Sequence, residues 1–217
     1  MDLYVRGLAV GPMKNFVYLL GAVDAAEAAV VDPAWDLDAI LSAAHEDGRV
    51  VTCAIATHGH NDHINAAPEL VARLKVPVYA QRAEIEVTPN LERLGSALRP
   101  LEPGSRISVG SLQIRALHSP GHTPGAQCLV CGGAVFTGDT LFVNGCGRCN
   151  FPQSDVHQMY RTLTERLGVL PNETRVFPGH DYGDIPVSTL GRERAQNPYL
   201  RFPDEASFVA YRMRPPP

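Results

Sequence analysis

Four of the seven residues between positions 57 and 63 carry side chains that bind metal ions. The segment reads Thr57-His58-Gly59-His60-Asn61-Asp62-His63, and it follows an apolar run at residues 50–56 that predicts a β-strand. Neutral imidazoles are good ligands for zinc or iron, and a carboxylate adds a negative oxygen. So many polar groups packed together are hard to satisfy without a cation. The alternative is a solvated loop that contains histidines by chance, and we favour the metal site.

The spacing within this segment divides the ligands into two pairs. In an extended chain residues i and i+2 point the same way, so His58 and His60 can hold one ion. Asp62 and His63 follow where the chain starts to turn, and they can face a second ion.

Length and composition fit a single domain that spans residues 1–217. The hydrophobic fraction of 45% and the charged fraction of 19% are ordinary for a soluble globular enzyme. A chain of 217 residues can bury a full core. The net charge of -4 offers no basic stripe, so we predict no nucleic-acid partner.

The first residues lack the charged-then-apolar pattern of a signal peptide, and no later run approaches the ~20 apolar residues of a membrane span. We therefore predict a cytoplasmic protein with no membrane partner. Five cysteines, an odd number, favour reduced thiols over disulfides. Cys128-x-x-Cys131 and Cys146-x-x-Cys149 have the spacing of a zinc ribbon. The first pair lies in a predicted strand, where residues three apart point to opposite faces, so we interpret these as core cysteines.

Apolar periodicity and turn residues predict the order of the elements. Strands are predicted at residues 3–10, 16–20, 28–31, 50–56, 76–80, 107–109, 112–117, 127–131, 134–137 and 174–177. Helices are predicted at residues 36–47, 68–74, 155–167 and 188–196. Prolines interrupt residues 81–104, where we expect a loop or short helix that covers a site. We expect the terminal prolines, residues 215–217, to be frayed.

Four of these apolar strands end by presenting a possible metal ligand. The four residues are His58, His122, Asp139 and His180. Ligands at the strand ends of an α/β sheet lie where such folds usually place their chemistry. We therefore expect these distant residues to converge with the 57–63 segment.

Residues 57–63 resemble the T-H-x-H-x-D-H signature of the metallo-β-lactamase superfamily, and the likeness covers nearly the whole chain. It implies an α/β fold, the αβ/βα four-layer sandwich, with two mixed sheets flanked by helices and the metals at one edge of the sheets. It also implies a ligand assignment: His58, His60 and His122 on one ion, Asp62, His63 and His180 on the other, and Asp139 as the bridge.

Within the superfamily, residues 136–143 and 145–148 resemble the bridging-aspartate segment of the glyoxalase II group and the basic residue that follows. Residues 179–182 resemble the segment that carries its last ligand and a substrate-binding tyrosine. The resemblance therefore implies Arg148 and Tyr182 as substrate-binding residues. The chain departs from that group at Asn150, where the group has a tyrosine. It also stops before the helical domain that helps to hold glutathione.

Residues 182–191 and 197–198 resemble the C-terminal segment of shorter members, including persulfide dioxygenases and thioester hydrolases of polyketide pathways. The dioxygenase likeness implies a single iron held by His58, His122 and Asp139. The amino-acid sequence of residues 138–142 is more similar to that of the hydrolases.

Our hypothesis is a glyoxalase II-like metal-dependent hydrolase that cleaves a small-molecule thioester with two divalent ions. Zinc is favoured, and iron or manganese would suit the same ligands. Bound metal lowers the pKa of water from about 15.7 to about 7, so a metal-bound hydroxide can attack the carbonyl. Asp62 would be a ligand that also orients this hydroxide. The alternatives are a mononuclear iron persulfide dioxygenase and a metal-binding superfamily member without hydrolytic activity.

Several other residues have two interpretations. Asp32 fixes a ligand imidazole or belongs to an ordinary turn. His118 is a second candidate of this kind or a satisfied loop residue. Arg148 pairs with a substrate carboxylate or lies on the surface. We assign Trp35 to the core, and His45 and His157 to helices away from the site.

Overall fold

Two six-stranded β-sheets form the centre of the protein. The structure is a computed structural model and describes residues 2–214. The terminal prolines, for which we predicted fraying, lie outside the described residues. Inward-facing side chains of both sheets form one shared core, which includes Tyr18 and Ile55 from the first sheet and Leu129 and Phe136 from the second. The sheets therefore pack face to face.

The first sheet contains the N-terminal strands in sequence order. They are β1 (Leu3–Val10), β2 (Asn15–Ala22), β3 (Glu27–Val31), β4 (Val50–Ile55), β5 (Val78–Gln81) and β6 (Leu98–Leu101). The β1, β2 and β3 strands pair antiparallel, and β3 to β6 pair parallel.

The second sheet is also mixed. Its strands are β7 (Arg106–Val109), β8 (Leu112–His118), β9 (Gln127–Cys131), β10 (Ala134–Gly138), β13 (Arg175–Pro178) and β14 (Ser188–Thr189), and the separate hairpin is β11 (Leu141–Phe142) with β12 (Gly145–Cys146). The order is β14-β13-β10-β9-β8-β7. Only the β10 and β13 pair is parallel among the described strands of this sheet.

Helices cover the outer faces of both sheets. They are α1 (Leu37–Glu46), α2 (Asn61–Ile64), α3 (Ala67–Leu74), α4 (Arg82–Ile85), α5 (Pro89–Glu92), α6 (Val156–Arg161), α7 (Leu190–Gln196) and α8 (Glu205–Arg212). Short 3-10 helices occupy Gly95–Ala97 and Pro198–Leu200, and a π-helix at Thr162–Leu167 continues α6. The α1 and α3 helices pack on the first sheet, and α6, α7 and α8 pack on the second.

The β2 strand illustrates why the layers form. All eight of its residues are buried, because the strand lies between the other sheet and a helical layer. Successive side chains of a strand point to opposite faces. Accordingly, Phe16 and Tyr18 belong to the core between the sheets, and Val17 and Leu19 belong to the core under the helices. The predicted four-layer α/β sandwich is confirmed.

Some predicted elements differ in detail. Ser188 and Thr189 were predicted to begin a helix, but they pair with Val176 and Arg175 and extend the second sheet. The 155–167 helix changes from α to π hydrogen bonding at Thr162. The α8 helix was not predicted. No helix among residues 2–214 is long and apolar enough to cross a membrane.

Candidate metal centre

Four strand ends meet at one edge of the sandwich. The β10 strand ends directly before Asp139, β13 ends two residues before His180, and β4 ends three residues before His58. The β8 strand ends at His118, and a turn carries the chain on to His122. The sequence-predicted residues therefore converge, as expected from their positions after strands.

The converging side chains form two groups of three. One group, which we call the histidine half, consists of His58, His60 and His122. The other, which we call the carboxylate half, consists of Asp62, His63 and His180. Within each half, one nitrogen or oxygen from each side chain lies within 4.8 Å of the other two. This division matches the two predicted ligand sets.

Asp139 lies between the two halves. Its Oδ1 is 3.2 Å from His63 Nε2 and 3.3 Å from His180 Nε2. Its Oδ2 is 3.5 Å from His122 Nε2. One carboxylate oxygen therefore faces each half, which is the position that a bridging ligand requires.

Hydrogen bonds on the outer nitrogens aim three imidazoles inward. Nδ1 of His63 donates to Asp32 Oδ2 at 2.9 Å, Nδ1 of His180 donates to the Met13 carbonyl at 2.9 Å, and Nδ1 of His122 donates to the Arg148 carbonyl at 2.8 Å. In the neutral form that binds metal, each of these imidazoles presents an Nε2 lone pair to the centre. The Nε2 atoms of His63 and His180 are only 3.1 Å apart. The two nitrogens are therefore close enough to share one cation.

Two buried atoms of the centre have no hydrogen-bond partner among the described residues. They are Nε2 of His58 and Oδ1 of Asp139. Buried polar atoms are nearly always paired, so such orphans require an explanation. Neutral imidazole nitrogens and carboxylate oxygens are the donors that divalent cations accept. The centre fits bound metal, and the role of each residue as a ligand remains a prediction.

Asp32 orients a histidine of each half through hydrogen bonds. It is 2% exposed, and its carboxylate accepts from the Thr57 backbone N–H at 2.6 Å and from the Thr57 hydroxyl at 2.7 Å. The Thr57 hydroxyl oxygen in turn lies 3.1 Å from His58 Nδ1 and can accept a hydrogen bond from it. Asp32 thus holds His63 directly and His58 through Thr57. Asp32, His58 and His63 form a third group whose ligand atoms lie within 4.8 Å of one another. Both oxygens of Asp32, however, already accept hydrogen bonds from Thr57 and His63.

Asn15 holds the carboxylate of Asp62. Its side-chain Nδ2 donates to Asp62 Oδ2 at 3.0 Å, and its Oδ1 accepts from the Trp35 indole at 2.8 Å. The prediction that Trp35 is a core residue was wrong, because the residue is 37% exposed. Trp35 adopts a left-handed backbone with φ of 63° and covers the Gly11 turn. Its indole nitrogen needs a partner, and Asn15 supplies one.

The electrostatics of the centre favour a cation. Burial lowers the pKa of His58 well below its usual value, and the neighbouring His63 lowers it further. Burial also lowers the pKa values of His60 and His122. Burial acts to raise the pKa of Asp139, but His63 and His180 outweigh it and hold that pKa well below its usual range. Burial acts to lower the pKa of His63, but Asp139 and Asp32 outweigh it and hold that pKa well above its usual value. The carboxylates of the centre therefore attract positive charge.

The two predicted substrate-binding residues flank opposite halves. The Arg148 guanidinium is exposed and lies 4.8 Å from the centroid of the Phe151 ring. Phe151 packs beside His60 and His122, with ring centroids 5.2 and 5.5 Å away. Tyr182 stacks on the His180 ring at 4.6 Å and 6°. Both residues border the centre, and their contact with substrate remains a prediction.

Sequence reasoning missed Asn15 and Phe151. Asn15 begins a buried strand whose remaining seven residues are all apolar or tyrosine. A single polar residue in such a strand was an available signal of a functional role. Phe151 had no comparable signal, because its position follows from the fold of the loop after β12. Arg148 also donates from Nε to Asn150 at 3.0 Å, so the residue that replaces the expected tyrosine orients the guanidinium.

The remaining histidines and the cysteines lie outside the two halves. His118 donates from Nε2 to the Pro124 carbonyl at 2.8 Å, as a satisfied loop histidine should. His157 pairs with Glu205 on the surface, and His45 is exposed on α1. All five cysteines are buried and free, and no cysteine belongs to a possible metal group among the described residues. The interpretation of Cys128 and Cys131 as core cysteines is confirmed.

Comparison with known proteins identifies a family and several relatives that this chain resembles. A family model described as the Metallo-beta-lactamase superfamily matches residues 10–180. The chain is 32% identical over 201 residues to the Probable polyketide biosynthesis zinc-dependent hydrolase BaeB of Bacillus velezensis, covering 93% of this chain and 88% of that protein. It is 33% identical over 197 residues to Persulfide dioxygenase ETHE1, mitochondrial, of Mus musculus, covering 86% of this chain and 71% of that protein.

A solved structure also resembles the whole sandwich. The crystal structure of ETHE1 from Myxococcus xanthus superimposes with a TM-score of 0.86 and 30% sequence identity. The match covers 98% of this chain and 92% of that chain.

Proposed function

This chain belongs to the metallo-beta-lactamase superfamily, and we propose that it is a metal-dependent hydrolase that cleaves a small-molecule thioester. The observation that carries the proposal is the position of Asp139 between the halves, with Oδ1 3.2 Å from His63 Nε2 and Oδ2 3.5 Å from His122 Nε2. A carboxylate placed in this way can join two ions. Two ions suit hydrolysis better than a reaction that needs one iron.

The chain's own residues have separate tasks in this proposal. Two divalent ions, when bound, would lower the pKa of water to about 7 and would polarise the substrate carbonyl. His58, His60 and His122 would hold one ion, and Asp62, His63 and His180 the other. Asn15 donates to Asp62 Oδ2 at 3.0 Å, and this same oxygen lies 3.5 Å from His63 Nε2 and from His180 Nε2, so the amide holds the oxygen that would bind metal.

Substrate recognition falls to residues on opposite sides of the centre. Arg148 offers a fixed guanidinium beside the histidine half, and a forked cation of this kind suits a carboxylate on the acyl or thiol part. Tyr182 offers a hydroxyl beside the carboxylate half. The departing thiolate has a parent pKa of about 8.5, so it needs little help from a general acid.

Homology supports this proposal in part. BaeB, whose match covers 93% of this chain, bears the name Probable polyketide biosynthesis zinc-dependent hydrolase. We therefore propose zinc as the resident metal, with iron or manganese as alternatives for the same ligands. We also propose that the protein acts in the cytoplasm and binds neither nucleic acid nor membranes.

A second candidate function is persulfide dioxygenation. It is favoured by the 33% identity to Persulfide dioxygenase ETHE1 and by the 0.86 TM-score to the Myxococcus xanthus protein. This activity would need only the subset His58, His122 and Asp139 around a single iron. The remaining members of the two halves would then have no ligand role.

Metal analysis and two assays separate the candidates. Protein purified without added metal is analysed for zinc, iron and manganese, and is then assayed for thioester cleavage and for oxygen uptake with glutathione persulfide. We expect about two ions per chain and thioester cleavage. His122→Ala should abolish the activity, and His157→Ala, which changes an exposed remote histidine, should retain it.

Other outcomes overturn the proposal. One iron per chain with oxygen uptake and no thioester cleavage would establish the dioxygenase instead. Neither activity in fully metal-loaded protein would favour a binding protein without hydrolytic chemistry.

A further inference from the structure

A buried carboxylate outside the two halves joins the loops that carry the histidine half. Glu84 lies on α4 and is 1% exposed. Its Oε1 accepts from the Gly59 backbone N–H at 2.7 Å and from the Thr88 hydroxyl at 3.2 Å. Its Oε2 accepts from the Thr123 hydroxyl at 2.7 Å and from the Gly125 backbone N–H at 2.9 Å. Among the described residues, no arginine or lysine pairs with this carboxylate.

The donors to Glu84 are placed next to metal-site residues. Gly59 lies between His58 and His60, and Thr123 directly follows His122. The same carboxylate therefore binds both segments from which the histidine half is built. A buried, unpaired charge is costly unless strong hydrogen bonds satisfy it, so this arrangement requires all of these donors.

Close packing brings Glu84 into this position. A Cβ at Gly59 would lie 2.3 Å from Thr88 Cγ2, and a Cβ at Gly125 would lie 2.0 Å from the Glu84 backbone nitrogen. Only glycine permits such an approach. The segment that contains α4 and α5 therefore packs directly against the two loops. It belongs to residues 81–104, for which the sequence predicted only a loop or short helix that covers a site.

The carboxylate half is held by other groups. Asp32 holds His63, Asn15 holds Asp62, and the Met13 carbonyl holds His180. None of the hydrogen bonds that Glu84 accepts comes from these residues or from the carboxylate half. The support from Glu84 is therefore specific to one side of the centre.

We propose that Glu84 is a positioning residue for the histidine half, where it sets the separation between the His58–His60 segment and His122. This proposal rests on the metal-dependent function proposed above. A rigid spacing of the three imidazoles raises the affinity of that half for an ion, because groups that orient metal ligands typically control affinity by about 10–100-fold.

Glutamine is the informative replacement, because it keeps the volume and removes one acceptor. Each Glu84 oxygen serves one backbone N–H, from Gly59 or from Gly125. A threonine hydroxyl can rotate to accept from an amide NH₂, but a backbone N–H cannot. Glu84→Gln therefore leaves one of the two loops without its acceptor in either orientation of the amide.

Two single-site backgrounds test the proposal. Asp62→Ala with His180→Ala leaves only the histidine half complete, and His60→Ala with His122→Ala leaves only the carboxylate half complete. Zinc affinity is measured in each by chelator competition, with Glu84 and with Glu84→Gln. We expect Glu84→Gln to weaken zinc binding by about 10–100-fold in the first background and by less than about twofold in the second.

Glu193 provides the matched control for the loss of a buried carboxylate. It is fully buried on α7 and accepts from Asn144, Ser188 and Asn197. Glu193→Gln should lower the melting temperature of the metal-free protein, as Glu84→Gln should, and leave zinc affinity within about twofold in both backgrounds. Thermal unfolding of all variants thus separates a general loss of stability from a loss of positioning.

The contrary results are distinct. Unchanged zinc affinity in the first background, or an equal loss in both, would refute the role of Glu84. Failure of zinc to bind in both backgrounds, with Glu84 in place, would overturn the metal centre itself and the proposed function with it.

Discussion

The two halves of the candidate centre contain the same number of side chains but are supported differently. In the carboxylate half, side chains hold two of the three ligands, because Asp32 contacts His63 and Asn15 contacts Asp62, and the Met13 carbonyl holds His180. In the histidine half, support comes largely through the backbone. The Arg148 carbonyl orients His122, and backbone N–H groups connect the loops to Glu84.

This difference follows from the layers. Asn15 begins β2 and Asp32 directly follows β3, so the first sheet holds the carboxylate half. Arg148 follows β12, and Gly125 precedes β9, so loops of the second sheet contribute to the histidine half. Asp139 contacts both halves, and Asp32 contacts His63 directly and reaches His58 through Thr57. Substitutions should therefore divide into those that damage both halves and those that damage one.

Asp139→Ala should have the largest effect, because it removes the carboxylate that faces both halves. We expect the zinc content to fall from about two ions to fewer than one per chain, and the hydrolytic rate to fall by more than about 100-fold. Metal analysis and steady-state kinetics check this prediction. Retention of both ions would show that Asp139 does not couple the halves.

Asp32→Asn should weaken both halves without removing a ligand. The NH₂ group of the asparagine would replace one acceptor oxygen, so it would face an N–H of either His63 or Thr57. We therefore expect zinc affinity to fall by about 10–100-fold and the free energy of unfolding to fall by about 1–3 kcal/mol. Chelator competition and denaturant unfolding measure these quantities. Asp36→Asn is the control, because Asp36 caps α1 by accepting from Ala39 and asparagine caps equally well.

Asn15→Ala should affect the carboxylate half alone. Loss of the 3.0 Å bond to Asp62 Oδ2 frees that carboxylate to rotate. In the background that retains only this half, we expect zinc affinity to fall by about 10-fold, and in the other background no change. Asn197→Ala removes an equally buried amide away from the centre and should change stability only. Equal losses in both halves would contradict the separation of supports.

The smallest effect concerns the thiols, which should be independent of both halves. Burial raises the pKa of Cys128 and of Cys149 to about 11 from 9.0. Because the folded-state values are raised, the thiols stay protonated below pH 9, and their contribution to stability is lost only as pH rises from 9 towards 11. Native protein at pH 8 should therefore react slowly with a thiol reagent, with or without zinc. Rapid labelling that zinc prevents would place a thiol in the centre.

Much of the centre was predictable because metal ligands are encoded locally. The 57–63 segment carries four candidate ligands, and His122, Asp139 and His180 follow apolar strands that end at the same edge. Chain direction alone then brings them together. The four-layer fold was predicted from the resemblance to the metallo-β-lactamase superfamily. The strands fit it, because β2 is buried on both faces and the buried residues of β8 alternate with more exposed residues over its first five positions.

The supporting residues were not predictable, because their roles depend on distant partners. Glu84 differs little in sequence context from Glu86, and its role arises from Gly59 and Gly125, 25 and 41 residues away. Trp35 was misassigned because an indole suits both a core and a partly exposed site. The α8 helix had a usable signal in Asp204, which caps it by accepting from Ser207 at 2.8 Å.

The most direct test of the account is the anomalous scattering of zinc in crystals of the zinc-loaded protein. The account predicts two peaks, one about 2.0–2.1 Å from nitrogens of His58, His60 and His122 and the other at the same distance from nitrogens of His63 and His180. Asp139 should contact both peaks. A single peak bound only by His58, His122 and Asp139, or no peak among these side chains, would contradict it.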